Sequence, residues 1–284
     1  MVSNTHPVDP NAPVGVDPAR ASVARVYDYM LGGKDNYEID RQTYEQMKAA
    51  LPEVVDVALA NRAFLIRVVR FLATQTDIAQ FLDCGSGLPT AENIHQVAQR
   101  LNPETKVVYV DNDPVVIAHG RALLAENELT EFVTGDIFQP RSILDNQVVR
   151  THLDWNQPIA LFQLATLHHH KGDRHAPAEV MREYIDALPS GSYVAISHLL
   201  DPETEDTEVA RELEDAVTRG SLGGATWRTR DEITELFHGL EIVKPSPIAD
   251  PGVVELVDWW ADGPMLKPRN VAHRIIAGGV ARKP

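Results

Sequence analysis

Apolar residues recur along this chain with two different periods, and the change from one to the other divides it. Behind Ser22, a hydroxyl suited to capping, Val23, Val26, Tyr27 and Met30 fall on one helical face, and Gly32-Gly33 marks the stop. A second helix is predicted from about Tyr37 to Leu51. Pro52 opens a third, whose Phe64, Leu65, Val68, Val69 and Leu72 form one apolar stripe. From residue 78 onward, short unbroken apolar runs alternate with helical segments. Strands are predicted at 78–83, 107–111, 131–134, 158–163 and 192–198, and helices at 91–101, 114–127 and 176–188. This alternation predicts a parallel sheet covered by helices on both faces. An acidic helix follows at 204–219. Thr229 and Glu232 then form a capping-box pattern before a helix at 230–238, and two strands near 240–244 and 271–277 end the chain. Residues 1–20 hold Pro7, Pro10, Pro13 and Pro18 with few large apolar side chains and read as a flexible or extended tail. The expected organisation is thus tail 1–20, helical cap 21–75 and core 76–284, with cap and core forming a single domain.

The segment I-A-Q-F-L-D-C-G-S-G-L-P, Ile78 to Pro89, carries the strongest chemical signal. An apolar strand ends at Asp83, two glycines let the backbone turn tightly against a ligand, and a helix is expected to begin near Thr90. The next strand, V-V-Y-V-D-N-D-P from Val107, ends at Asp111, which lies 24 positions after Gly87. That spacing fits a strand-loop-helix-strand unit whose second acid reaches the hydroxyls of a ribose. The dinucleotide fingerprint G-x-G-x-x-G would require a third glycine at position 90, where this chain has Thr90. Asp83 would repel a pyrophosphate but attract the ammonium of a methionine moiety. The expected ligand is therefore S-adenosyl-L-methionine rather than NAD; a glycine turn beside a solvated carboxylate is the purely structural alternative. Asp83 is assigned to the methionine end, Gly85, Ser86 and Gly87 to close backbone approach, Asp111 to the ribose and Asn112 to the side of the adenosine.

Three stretches, R-V-Y-D-Y-M-L-G-G-K-D-N-Y-E-I-D-R, Q-F-L-D-C-G-S-G-L-P-T and V-V-Y-V-D-N-D-P, resemble a bacterial family of class I S-adenosylmethionine-dependent methyltransferases long catalogued as a domain of unknown function, the S-adenosyl methyltransferase family. The likeness covers nearly the whole chain, with its motifs in order. It implies an α/β, Rossmann-like, mostly parallel sheet with helices on both faces, an N-terminal helical cap, and a last strand, Val271 to Ala277, inserted antiparallel. Gly135-Asp136-Ile137 matches the family position where an acid accepts the adenine amino group and an apolar neighbour packs on the ring; a turn cap is the other reading of Asp136. The fourth strand ends L-F-Q-L-A-T-L-H-H-H-K-G-D-R, Leu161 to Arg174, with Ala165 near the methionine moiety and His168 near the acceptor entrance. His168 matches a Leu-His pair of the family, but His169 stands where a Phe is expected. The family name identifies no substrate.

Composition narrows the remaining choices. With 284 residues, 44% of them hydrophobic, the chain can bury a large core. It has no run of about 18 apolar residues and no signal-peptide pattern, so a cytoplasmic enzyme without membrane partners is expected. Cys84, the only cysteine, excludes an intrachain disulfide and reads as a small buried filler. The net charge of −15, from 41 acidic and 26 basic side chains, disfavours nucleic acid as a partner and favours a small-molecule acceptor. Arg62, Arg67 and Arg70 are expected on the wet face of their helix, and Trp227 and Trp259-Trp260 are expected to be packing residues. No pattern addresses oligomeric state.

Methyl transfer from a sulfonium is an in-line displacement, so positioning is the protein's main task and no metal is required. Zinc held by His168, His170, Asp173 and His175 is disfavoured by irregular spacing and by the absence of cysteine partners. His168 is the candidate base for a hydroxyl or amine acceptor, with a histidine bonded to backbone as the structural alternative. Tyr27, beside the double-glycine turn, is the candidate pocket residue of a cap closing over the sulfonium. The leading reading is methyl transfer to a small organic acceptor through oxygen or nitrogen. A protein that senses the cofactor without transfer, and an NAD-dependent oxidoreductase, are the alternatives.

Overall fold

The helices begin at polar caps. Ser22 accepts a hydrogen bond from the Arg25 amide at 3.5 Å at the head of α1 (Val23–Met30), and the Asp40 carboxylate accepts one from the Tyr37 amide at 2.8 Å at the head of α2 (Glu38–Ala50). The computed structural model describes residues 15–89, 92–123, 127–265 and 267–284. Pro7, Pro10 and Pro13, the expected helix start at Thr90, and residues 124–126 of the expected helix 114–127 lie outside the described residues. After α3 (Val55–Gln75) come β1 (Gln80–Cys84), α4 (Ile94–Leu101), β2 (Lys106–Asp111), α5 (Pro114–Leu123) and β3 (Thr130–Thr134). Two short helices not read from the sequence, α6 (Pro140–Leu144) and α7 (Gln147–His152), lead to β4 (Ala160–Leu164), α8 (Ala176–Ala187) and β5 (Tyr193–Leu199). The chain closes with α9 (Thr207–Arg219), α10 (Arg230–Glu235), β6 (Glu241–Ile242), β7 (Val254–Glu255), α11 (Val271–Arg274) and β8 (Ile276–Arg282).

The sheet order is β3-β2-β1-β4-β5-β8-β6, with β7 also paired to β8. The strands from β1 to β5 are parallel, and β8 runs antiparallel between β5 and β6. Because side chains alternate across a strand, Phe81, Val107 and Phe162 meet α3 and α4 on one face. Leu82, Val108 and Leu161 meet α6, α7 and α8 on the other. Both faces are thus dry, which is why these strands read as unbroken apolar runs. A third cluster joins the cap to the end of β5, with Leu51 and Val54 against Leu199, Leu213, Val217 and Trp227. Among the described residues no helix is long and apolar enough to cross a membrane.

The expected last strand is displaced. Residues 271–274 form α11, and the strand runs over 276–282. Asn270 caps that turn, with His273 Nδ1 accepting from its amide at 3.2 Å, while Ala272 and Ile275 are drawn into the cluster beneath the cap. The expectation for the arginines of α3 holds for the exposed Arg70 but fails for Arg67. Arg67 is buried, donating from Nε to the Trp259 carbonyl at 2.8 Å and from Nη2 to Leu256 at 2.7 Å. The C-terminal segment covers the side of α3 that the sequence suggested was wet.

Candidate active site

At the C-terminal ends of β1, β2 and β4 lies a cleft of about 620 Å³, roofed by α1 and the residues before it. Its floor is the glycine loop. Gly85 and Gly87 have φ of +84° and +65°, conformations that cost glycine little and other residues more. Gly85 and Ser86 donate to the Val110 carbonyl at 2.8 and 3.1 Å, and Gly87 N–H donates to Asp111 Oδ2 at 2.9 Å. A Cβ built on Gly85 would collide with Thr166, whereas one on Gly87 would meet no atom within 4 Å. Gly85 is therefore required by packing, and Gly87 presents bare backbone to open space.

All nine residues expected at the cofactor line this cleft: Asp83, Gly85, Ser86, Gly87, Asp111, Asn112, Asp136, Ile137 and Ala165. Tyr27 joins them. Asp83 is 5% exposed, and burial pushes its carboxyl up to about 7, against the opposing pull of nearby Arg62. Burial also raises Asp111. Its two oxygens already accept the amides of Gly87 and Asp113, each at 2.9 Å, so it braces the loop while facing the cleft. Asp136 accepts from the Phe138 amide at 2.9 Å and from Gln139 Nε2 at 3.2 Å, which makes it a turn-forming residue at the edge of the cleft. Ala165 holds φ of +55°, unusual for a residue with a Cβ. Its amide is pinned to Ser197 O at 3.1 Å and Ser197 Oγ at 2.8 Å.

Behind the cleft, under the cap, lies a second compartment of about 90 Å³, and Tyr27, Asn61, Ala165 and His169 border both spaces. The Tyr27 hydroxyl donates to Ala58 O and accepts from Asn61 Nδ2, both at 3.0 Å, and Asn61 Oδ1 accepts from Ser197 Oγ at 2.5 Å. A buried chain of hydrogen bonds thus ties α1 to the strained end of β4. Burial raises the Tyr27 phenol, so its ring is a neutral wall. His168 lines the rear compartment rather than the cleft, and burial holds its imidazole well below the ordinary range. His169 stands at the junction. Burial lowers it to about 4, and its Nδ1 lies 3.3 Å from Gly224 O. Among the described residues, no three His, Cys, Asp or Glu are grouped to hold a metal ion.

Residues 15–20, read as the end of a tail, run along the mouth of the cleft, and Val16 packs against Leu88, Val115 and Val116. The Arg25 guanidinium holds the carbonyls of Asp17 and Arg20 and pairs with the buried Asp40 at 2.8 Å. The Ser22 hydroxyl donates to Asp113, linking α1 to the end of β2. Sequence reasoning also missed Asn61, Arg62 and Ser197. Asn61 and Ser197 carry a readable signal, since each is a polar side chain on an otherwise apolar face.

The family model described as S-adenosyl methyltransferase matches residues 10–284. A crystal structure of a Thermobifida fusca YX protein described as a methyltransferase is similar at 38% identity and a TM-score of 0.87, covering 95% of this chain and 97% of that one. A DUF574 family protein from Streptomyces avermitilis MA-4680 is similar at 37% identity and a TM-score of 0.83, with 94% and 99% covered. No curated protein matches the chain.

Proposed function

The chain belongs to the S-adenosyl methyltransferase family and is an S-adenosylmethionine-dependent methyltransferase; we propose that its acceptor is a small organic molecule and that cofactor and acceptor divide the cleft and the rear compartment between them. The observation that carries this reading is the juxtaposition of Asp83 and Arg62 on the wall of the cleft. A buried carboxylate and a half-buried guanidinium, neither bonded to the other, complement the ammonium and carboxylate of an amino acid. Arg62 donates to the Glu92 carbonyl, which holds it in place. The Gly85 to Gly87 backbone follows the methionine chain. Asp111 retains free lone pairs for the ribose hydroxyls, Asn112 lies beside them, and Asp136 with Ile137 receives the adenine. Ala165 closes the methionine side.

S-adenosylmethionine, when bound, supplies an electrophilic methyl on a sulfonium whose sulfur keeps the bonding pair as the acceptor's lone pair makes the new bond. The chain's own task is then alignment, exclusion of water, and removal of one proton from a hydroxyl or amine acceptor. His169 is placed for that proton. With hydrogen on Nδ1 directed at Gly224 O, its Nε2 is left as a base at the junction. His168, the candidate from sequence, lies one residue deeper and serves the acceptor instead. Arg62→Gln is expected to weaken S-adenosylhomocysteine binding roughly tenfold or more, in line with about 1.5 to 3 kcal/mol for a hydrogen bond to a charged group. Calorimetry checks this, and unchanged affinity would remove Arg62 from the site. Incubation with labelled S-adenosylmethionine and fractionated small-molecule extract tests the acceptor class. Label recovered only in macromolecules would overturn it.

A further inference from the structure

The rear compartment has two properties that its neighbour lacks. None of its lining side chains is Asp, Glu, Lys or Arg; the walls are Met30, Met47, Leu199, Leu213 and similar residues. Yet two polar atoms on it, His168 Nδ1 and Trp227 Nε1, are buried and have no hydrogen-bond partner among the described residues. His168 is 4% exposed and Trp227 3%. Most buried polar groups in folded proteins are paired; of the six buried side-chain atoms without a partner among the described residues, these two face the same space. Neither atom is occupied with the rest of its own network. His198 Nδ1 lies 2.7 Å from Leu199 O, and its Nε2 lies 2.9 Å from Arg228 Nη1, so the neighbouring imidazole is already fully engaged.

We infer that this compartment receives the methyl acceptor, and that the acceptor is a neutral, mostly apolar molecule whose hydrogen-bonding group is read by His168 Nδ1 and the Trp227 indole N–H. The inference rests on the reading that the adjoining cleft holds the cofactor, since Val23, Tyr27, Asn61, Ala165 and His169 are the shared partition. A carboxylate or ammonium entering here would be buried with no counter-charge, which is the costliest form of burial. A hydroxyl or amide meets both orphan atoms, because the indole can only donate and imidazole Nδ1 accepts when its hydrogen is on Nε2. Size adds a bound. At about 90 Å³ the space is smaller than the roughly 150 Å³ cavity that takes up benzene, so a short branched chain or the edge of a ring fits, with the rest directed toward the partition.

The test uses full-length protein saturated with S-adenosylhomocysteine, with isobutanol, isobutyrate and isobutylamine as probes at pH 8. Of the four indole signals in a spectrum of ¹⁵N-tryptophan-labelled protein, the one lost in Trp227→Phe reports the compartment. Isobutanol should move it saturably, and the two ionised probes should need at least about tenfold higher concentration to do the same. In His168→Phe, which keeps bulk and removes the nitrogen, half-saturation by isobutanol should rise about five- to tenfold. An indole signal that ignores isobutanol, or that answers isobutyrate equally, overturns the inference while leaving the cofactor site intact. Failure of S-adenosylhomocysteine to bind in calorimetry overturns the cofactor reading itself, and this inference with it.

Discussion

Asp83 sits where its charge is least tolerable, and that sets a pH dependence with a definite sign. Its carboxyl is raised to about 7 in the folded chain, chiefly by burial, against about 3.9 when unfolded. Below pH 4 both states are protonated and nothing is lost. Between 4 and 7 only the unfolded chain ionises, so stability falls as pH rises, and above 7 the cost is complete, at most about 4 kcal/mol. Asp83→Asn should therefore melt higher than the wild type at pH 8 without ligand and about equally near pH 4. At pH 8 the same variant should lose most of its affinity for S-adenosylhomocysteine, and wild-type affinity should fall as pH drops from 8 to 5.5. Melting curves and calorimetry at those pH values decide both points. Asp111 is different, because its two oxygens already hold the Gly87 and Asp113 amides. Asp111→Ala should weaken the ligand by roughly 1 to 3 kcal/mol and also lower the melting temperature, since the loop loses its brace. Unchanged affinity in a folded variant would place the ribose elsewhere.

At the scale of elements, the corner between α1 and α2 controls whether the cap can sit over the cleft. Of the two glycines at that corner, Gly32 is the one with a positive φ, at +81°. Gly33 is needed for another reason: a Cβ there would overlap the Asp28 carboxylate, which accepts from the Asp35 amide at 3.0 Å and Asn36 Nδ2 at 3.1 Å. Gly33→Ala should thus break that knot and cost about 1 to 3 kcal/mol of stability, measurable as a lower denaturant midpoint. Deleting residues 1–20 should lower the melting temperature, because Val16 and the carbonyls that hold Arg25 are lost, and raise the dissociation constant of S-adenosylhomocysteine, because Val16, Asp17 and Arg20 form one wall of the cleft. Calorimetry on the truncated chain, with equal affinity as the contrary result, checks that wall.

Across the whole molecule, α3 and the segment 256–270 close on each other beside the sheet. Arg67 of α3 holds the carbonyls of Leu256 and Trp259, and Asp56 at the start of the same helix accepts from Asn270 Nδ2 at 2.6 Å. Cap, cleft and inserted β8 are consequently mechanically joined, and a ligand in the cleft should raise the melting of the whole. At a hundred times its dissociation constant, S-adenosylhomocysteine should add about 2.7 kcal/mol, or roughly 5 to 10 °C for a chain of this size. NAD should add nothing, as Asp83 opposes its pyrophosphate. An equal shift with NAD would contradict the cofactor assignment.

The glycine-loop and strand-end residues that line the cleft were legible in sequence because they are local. Asp83, Gly85, Gly87 and Asp111 fall within one strand-loop-helix-strand unit, where backbone geometry and spacing carry the meaning. The parallel sheet was legible for a similar reason, since two dry faces leave unbroken apolar runs. Boundaries were not, as α11 shows by taking residues that look like strand once Asn270 caps them. Only tertiary structure brought Asn61 to Ser197, 136 positions away, or set Arg62 beside Asp83 and Trp227 behind the cleft. Nothing in local periodicity records such meetings. The histidines show the limit at its finest. Leu167–His169 is a 3-10 turn, in which each residue rotates the side chain by about a third of a turn. Neighbours in sequence therefore face different spaces, and packing alone decided that His169 borders the cleft while His168 looks into the compartment behind it.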